Sequence, residues 1–337
     1  IQVGPESAGS VPGPACYGLG GKRATVTDAS LVLGYLDADY FAAGTLTLDA
    51  AAAHTAIGET IAQPLGMTIE EAARGVHRVV NAQMAEGIRL VSVRQGYDPR
   101  NFILVPFGGA GTVHAIALAR ELDLQEIIVP RHPGVLSAAG LLGAPIEHEV
   151  SAAFPHPLSG LEHATVKCFC AQLDQRCGAL MKQDGITDSE QIIEHFADIC
   201  YDGQSFYLET PLDLNAPDPL TRVYESFRKE HERVHGHSTD NPARIVNLRT
   251  IHRGPTLKIP RAPEVAPASP RPRRSRAVSF LDHSQAIETP VLHRTALEAG
   301  DGIRGPAIIE QEDTTIVLEP GWSGSAEASG MLRLSRE

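Results

Sequence analysis

This 337-residue chain has no uninterrupted apolar run approaching the roughly 20 residues of a spanning helix, and no basic-then-apolar segment at its start. Membrane insertion and a secretory leader are therefore not expected. Excess positive charge is missing too. Lys and Arg number 29 against 41 Asp and Glu, a formal net charge of -12, which excludes a nucleic-acid surface covering the molecule. Cysteine is sparse, and the five present (Cys16, Cys168, Cys170, Cys177, Cys200) are an odd and scattered set. That argues against a disulfide framework and suits a reducing cytosol. Cys168-x-Cys170 followed by Cys177 has no zinc spacing, so these thiols read as buried packing. No Walker-type G-x-x-x-x-G-K-[ST] occurs. An initiator methionine is also absent: the chain opens Ile1-Gln2-Val3-Gly4-Pro5 and runs through Gly9, Pro12, Gly13, Pro14, Gly18, Gly20 and Gly21 before any regular pattern. The opening reads as a long shaped loop, and the expectation is a fold whose earlier part lies upstream.

What is present is ordinary for a globular protein, with 42% hydrophobic and 21% charged residues and length for about two or three domains. From Thr25 the pattern becomes regular. Val26-Thr27-Asp28-Ala29 leads into a short helical stretch (Leu31, Val32, Leu33, Leu36) that Gly34 interrupts. Thr68-Ile69-Glu70-Glu71 has capping-box spacing, and Ile69, Ala73, Val76, Val80, Met84, Ile88 and Val91 recur at helical intervals on one face. Ile103-Leu104-Val105 and Ile127-Ile128-Val129 predict core strands, and Gly134 to Leu142 a small-residue helix. Between them lies Val105-Pro106-Phe107-Gly108-Gly109-Ala110-Gly111-Thr112-Val113-His114-Ala115, an apolar run, a glycine cluster and an alanine-rich helix. Glycines at such a turn let backbone approach a ligand, and the helix start offers unpaired N–H groups to a phosphate or ribose oxygen. The bland alternative is glycine that merely packs a helix on a sheet.

Past Glu149 the pattern predicts a helix over 171–182, strands over 192–196 and 206–209, a helix over 220–234 and a strand over 245–248. The expected organisation is an α/β core over 1–148 and an α+β domain over 149–260. A Pro/Arg-rich linker over 261–276 and a β-rich terminal domain over 277–337 follow. The linker lacks the interleaved aromatics of a nucleic-acid arm. His231-Glu232-Arg233-Val234-His235 matches H-E-x-x-H, but Gly236 follows at once and His237 is too near for the usual third zinc ligand. An exposed, charged helix end is the simpler reading.

In order along the chain, Val3-Gly4-Pro5-Glu6-Ser7-Ala8-Gly9, Pro12-Gly13-Pro14-Ala15-Cys16-Tyr17-Gly18, Thr25-Val26-Thr27-Asp28-Ala29, Phe107-Gly108-Gly109-Ala110-Gly111 with His114-Ala115, Pro133-Gly134-Val135-Leu136-Ser137, Gly203-Gln204-Ser205, Asn247-Leu248-Arg249 and Gly305-Pro306-Ala307-Ile308-Ile309-Glu310 resemble the hydantoinase A / 5-oxoprolinase family. The resemblance implies part of an actin/hexokinase-like (ribonuclease H-like) α/β ATPase core, then a second α+β domain and a small β-rich domain. It further implies an ATP-dependent subunit that activates a carbonyl or amide oxygen by phosphoryl transfer, with ATP and Mg²⁺ as cofactors. Hydrolysis of cyclic amides is the leading expectation; ketone carboxylation and a non-catalytic scaffold are the alternatives. A hydantoinase B-type partner, a small cyclic amide or ketone substrate and an oligomeric state go with it, and no nucleic acid or membrane.

Carried over residue by residue, Gly108, Gly109, Ala110 and Gly111 match the adenosine-side turn. His114 in the next helix and Asn81 on the preceding one line the same cleft or serve packing; Met84 sits on the apolar face. Asp28 either positions metal-bound water or caps its helix, and Cys16 is a family fixture whose nucleophilic role would need a base. No metal ligands are identified. Ser30 and Thr112-Val113 stand where the family often carries asparagine and proline-leucine. The family's two acidic, glycine-rich phosphate loops would precede Ile1, so the chain by itself is expected to bind ATP weakly or not at all and to lack ATPase activity.

Overall fold

The computed structural model describes residues 1, 3–256 and 274–337. They fall into two compact units. One comprises residues 1–93, 97–139 and the described residues from 274 onward; the other comprises residues 94–96 and the described residues from 140 to 256.

In the first unit, α1 (Val26–Val32) follows the glycine-rich opening, and α2 (Ala50–Ile57) runs through a π-turn at Gly58–Ala62 into the single turn α3 (Gln63–Leu65). Next come α4 (Ile69–Ser92), α5 (Gly111–Glu121) and β1 (Glu126–Val129). The capping box of α4 is formed as its spacing predicts, Thr68 accepting from Glu71 N–H and Glu71 from Thr68 N–H. Its apolar face fades along its length: Ala73 and Val76 are buried, Met84 and Ile88 half-buried, and Val91 exposed. The unit boundary falls inside α6 (Leu136–Gly143).

The terminal strands β6 (Arg274–Val278), β7 (Ile287–His293), β8 (Gly302–Arg304), β9 (Ala307–Gln311), β10 (Thr314–Leu318), β11 (Trp322–Ala326) and β12 (Leu332–Arg336) do not stand apart from this unit. β12 pairs antiparallel with β1 in a sheet of order β1-β12-β11-β8, and β10-β9-β7-β6 forms a second. Both faces of β9 and β10 are covered. Ile309, Ile316 and Leu318 join α5 residues Ala115 and Leu118 and the first sheet in one core, while Ile308 and Val317 pack with α1, α4 and Val113 in another. Contiguous apolar triplets such as Ile316-Val317-Leu318 are what two covered faces require. The domain boundary expected at 276/277 therefore meets a different grouping, with 277–337 inside the first unit. Of the expected linker, residues 261–273 lie outside the described residues, and Arg274 and Arg276 stand in β6.

One strand expectation fails. Of Ile103-Leu104-Val105 only Leu104 pairs, by a single parallel bridge to Ile127, and Ile103 and Val105 are exposed. An apolar triplet makes a core strand only if something lies against both faces, and the outward face here has no described partner.

The second unit is an antiparallel sheet, order β2-β5-β3-β4, of β2 (Glu147–Pro157), β3 (Ile192–Tyr201), β4 (Leu208–Pro211) and β5 (Ala243–Arg253). Its core takes Val166, Cys170, Leu173 and Cys177 from α7 (His163–Gln183) and Val223 and Phe227 from α8 (Pro219–His235). Three strands, β2, β8 and β11, escape the pattern reading; β2 buries only Val150 and Phe154, and the inward positions His148 and Ala152 between exposed residues are half-buried and carry little apolar signal.

α1 stops where the chain meets β6. Gly34 has φ +78, and a Cβ there would lie 2.5 Å from the Ala277 carbonyl oxygen. Arg276 locks the contact, Nε donating to Gly34 O at 2.7 Å and Nη2 to Tyr35 O at 2.9 Å, with its Nη1 on Glu310 at 2.7 Å. Gly34→Ala forces both the positive φ and the clash on an L-residue, so urea unfolding should show a loss of about 2 kcal/mol or more. A loss below ~0.5 kcal/mol would mean the α1–β6 approach is not constraining.

Candidate functional site

The glycine turn precedes α5 as its spacing predicts. Gly108 has φ +85, and a Cβ there would meet nothing within 4 Å, so the space beside it is open. The N-cap of α5, Ala110, provides no side-chain cap, which leaves the first-turn N–H groups of Gly111 and Thr112 without an intrahelical partner. From Thr112 to Ala119 every residue of α5 is buried. The turn thus presents open backbone at the start of a helix fixed on all sides.

Asn81 and His114, named from facing helices, are both buried and bonded to each other. His114 Nδ1 lies 2.7 Å from Asn81 Oδ1, both side chains buried, so this nitrogen carries the proton. The His114 ring stacks on His77 at 4.9 Å, and His77 Nε2 lies 2.9 Å from Ser30 Oγ, which also bonds Val26 O at 2.9 Å. A polar file of Ser30, His77, His114 and Asn81 thus joins α1, α4 and α5. His77 and Ser30 were not singled out as site residues; histidine within a helix repeat carries no signal by itself. Met84 is half-buried against the core, not in this file.

Asp28 and Cys16 form a separate cluster. The Asp28 carboxylate accepts from Ala15 N–H (3.2 Å), Cys16 N–H (2.8 Å), Thr25 N–H (2.9 Å) and Thr25 Oγ1 (2.7 Å), closing the capping box of α1. Three of these bonds fall on Oδ2 and one on Oδ1, all from within the fold around a fully buried carboxylate. Of the two readings open for Asp28 the cap is the one its geometry carries, and it also anchors the Pro14–Tyr17 loop. Cys16 is fully buried; burial, and then the Asp28 charge beside it, push its thiol far above the ordinary range. A protonated, enclosed thiol lacks the thiolate and the base a nucleophile needs.

In the second unit, His231 of the H-E-x-x-H stretch is buried and donates from Nδ1 to His237 O at 2.7 Å, while Gln204 Nε2 approaches its Nε2 at 3.4 Å. Its role there is to tie the Gly203-Gln204-Ser205 loop to the end of α8, whose C-cap is Gly236. Arg249 of Asn247-Leu248-Arg249 bridges three strands' carboxylates, Glu149 (3.0 Å), Glu209 (3.1 Å) and Asp198 (3.3 Å). A cluster the pattern reading missed centres on Asp174. Burial would raise its carboxyl, but hydrogen bonds from His195, Thr250 and His252 outweigh that and hold it below the usual range. No group of three or more His, Cys, Asp or Glu arranged to hold a metal occurs among the described residues.

Two measurements test these environments. Burial lowers His77 to about 3 and His114 to about 4, so between pH 6.5 and 4 the unfolded chain binds more protons than the folded one. Stability is fully present above pH 6.5 and falls as pH drops toward the folded values. At pH 5 the loss is up to about 2 kcal/mol per histidine. Urea unfolding at pH 7.5 and 5.0 should show His77→Gln/His114→Gln losing clearly less than the parent; an equal loss would contradict it. With a thiol reagent on folded protein, exposed Cys168 should react first and Cys16 stay protected until unfolding; labelling of both at one rate would refute the enclosure.

The hydantoinase/oxoprolinase family profile matches residues 1–150, and the profile of the hydantoinase/oxoprolinase C-terminal domain matches 162–336. The caprolactamase subunit alpha of Pseudomonas jessenii is 35% identical over 347 residues, covering 99% of this chain and 49% of that subunit. The acetophenone carboxylase gamma subunit of Aromatoleum aromaticum is 32% identical, covering 98% and 47%. The crystal structure of the ATP-dependent caprolactamase from Pseudomonas jessenii superposes with a TM-score of 0.84 at 33% identity, over 100% of this chain and 50% of that one. The chain thus spans about half the length of these relatives, and its α/β architecture is that of the hydantoinase/actin-like ATPase fold. With both profiles matched in order and the glycine turn, Asp28 and Arg249 in defined structural settings, this chain belongs to the hydantoinase/oxoprolinase family.

Proposed function

We propose that this chain carries the adenosine side of a nucleotide cleft in an ATP-dependent enzyme acting on cyclic amides. The observation that supports it most is the open, positive-φ turn at Gly108 set against the uncapped start of α5. A flat base or ribose fits beside backbone that carries no Cβ, and the half-exposed N–H of Gly111, which has no intrahelical partner, suits a ribose or phosphate oxygen. The neutral imidazole of His114, fixed by Asn81, stiffens the first helical turn behind it.

ATP, when bound, would supply a phosphoryl group that converts an unreactive amide oxygen into a leaving group, and Mg²⁺ would supply charge neutralisation for the phosphates. The residues described here fit the nucleoside better than the metal. Asp28 has both oxygens bonded to backbone or Thr25, and no acidic set converges on the turn among the described residues. The phosphate and Mg²⁺ contacts in this reading come from polypeptide outside this chain, in keeping with relatives about twice as long. A hydantoinase B-type partner and an oligomeric enzyme complete it, since the named relatives are subunits. Ketone carboxylation is the second reading, favoured by the comparable match to the acetophenone carboxylase gamma subunit.

Adenosine and ATP titrated into isotopically labelled chain should shift the amide signals of Gly108 to Gly111 and of His114 at millimolar concentration. The two ligands should differ by less than about threefold, and the chain alone should have no ATPase activity. Mg²⁺-dependent turnover by this chain, or shifts confined elsewhere, would overturn the reading. In the assembled complex, incorporation of labelled bicarbonate into a ketone would favour carboxylation over lactam hydrolysis.

A further inference from the structure

The turn between β9 and β10 lies against both glycine-bearing loops of the candidate site. Asp313 Oδ2 accepts from Gly134 N–H at 2.8 Å, and the carbonyl of neighbouring Pro133 accepts from Gly108 N–H at 2.8 Å. Thr314 Oγ1 donates to Gly109 O at 2.9 Å, and Thr112 Oγ1 donates to Thr315 O at 2.7 Å. The two hydroxyl oxygens are themselves 2.5 Å apart, so a hydroxyl that donates to the other releases its own carbonyl; two of the three contacts are bonded at a time, and the pair acts as one unit. Packing is equally close. A Cβ on Gly134 would fall 2.6 Å from Asp313 Cβ and 2.7 Å from its carbonyl oxygen, and one on Gly109 would lie 3.4 Å from that oxygen. The loop after β1 is held again by Arg294, whose Nη2 reaches Pro130 O at 3.2 Å, and by Gln311, whose Nε2 donates to Arg131 O at 2.8 Å.

The glycine turn is therefore tied on the hairpin side and open beside Gly108. We infer that Asp313 and Thr314 are positioning residues: touching no ligand themselves, they set the backbone geometry of Gly108–Gly111 that receives the nucleoside. This rests on the nucleotide reading above and adds to it a second segment, some 200 residues further along the chain, that refines the form of the turn. Asp313 acts through Gly134 and Pro133 on Gly108; Thr314 acts directly on Gly109 and, with Thr112, on the first turn of α5. Loss of either leaves a backbone group without its partner, and a lost hydrogen bond of this kind is worth about a fivefold change or more in an equilibrium constant.

Amide hydrogen exchange on the unliganded chain tests the framing. Thr314→Val, which keeps the shape of the side chain, and Asp313→Ala should speed exchange at Gly108, whose N–H is held by Pro133 O, and at Gly134 about fivefold or more, with α7 unchanged. Thr314→Ser and Asp313→Asn retain the hydroxyl and a side-chain acceptor and should restore it. Adenosine titrations should weaken about fivefold in Thr314→Val and recover in Thr314→Ser. Unchanged exchange in both truncating variants, or conservative variants as damaging as the truncations, would overturn the inference. Faster local exchange in the variants of a chain that never responds to adenosine would uphold the framing and remove the nucleotide reading instead.

Discussion

All-round burial of α5 is the constraint on which the first unit depends. A helix packed on one side can roll or tilt, but one enclosed from Thr112 to Ala119 between two cores has a single position. The enclosure comes from opposite directions in the chain, with α1 and α4 supplying one wall and β9 and β10 another. Because the glycine turn is the lead-in to that helix, its place in space follows from hydrophobic packing, not from any bond made by the turn itself. Polar ties then refine what packing has located. A turn can therefore stay open beside Gly108 without losing its form.

The same logic explains the neutral histidines. Ser30, His77, His114 and Asn81 sit where α1, α4 and α5 converge, and a charged imidazole there would have no carboxylate to balance it among its described hydrogen-bond partners. Burial resolves the conflict by keeping both rings neutral, each with a defined hydrogen bond. Arg120 and Glu319 show the alternative solution nearby: Arg120 Nη2 donates to the buried Glu319 at 2.6 Å. There burial still raises the Glu319 carboxyl, and the Arg120 guanidinium within reach pulls the other way.

Much of this was legible in the residues. The capping box at Thr68, the glycine turn before α5 and the end of α8 at Gly236 all follow from local chemistry, which is why pattern reading reaches them. Non-local facts escaped it. Nothing in Ile103-Leu104-Val105 reveals that only one side of it finds a strand. The apolar triplets of β9 and β10 do announce two covered faces, but which helix covers them is a matter of topology. Asp313 and Thr314 carry no motif, since an acidic residue and a threonine at a hairpin turn are ordinary turn chemistry. Ser30 and Thr112, where the chain departs from the common family pattern, prove to be hydrogen-bonded at the junctions of α1 with α4 and of α5 with β10.

The pairing of β1 with β12 has a consequence for biosynthesis. Glu126 faces Ser335 across that ladder, so the strand after α5 closes on one about 200 residues further along the chain. Contacts of such sequence separation are slow to form and cannot form at all on a nascent chain that is still short. Until β9 and β10 have been made, α5 lacks its second wall and its apolar surface stays solvated. A ribosome stalled before β9 would hold α1, α4 and α5 with their shared interior incomplete.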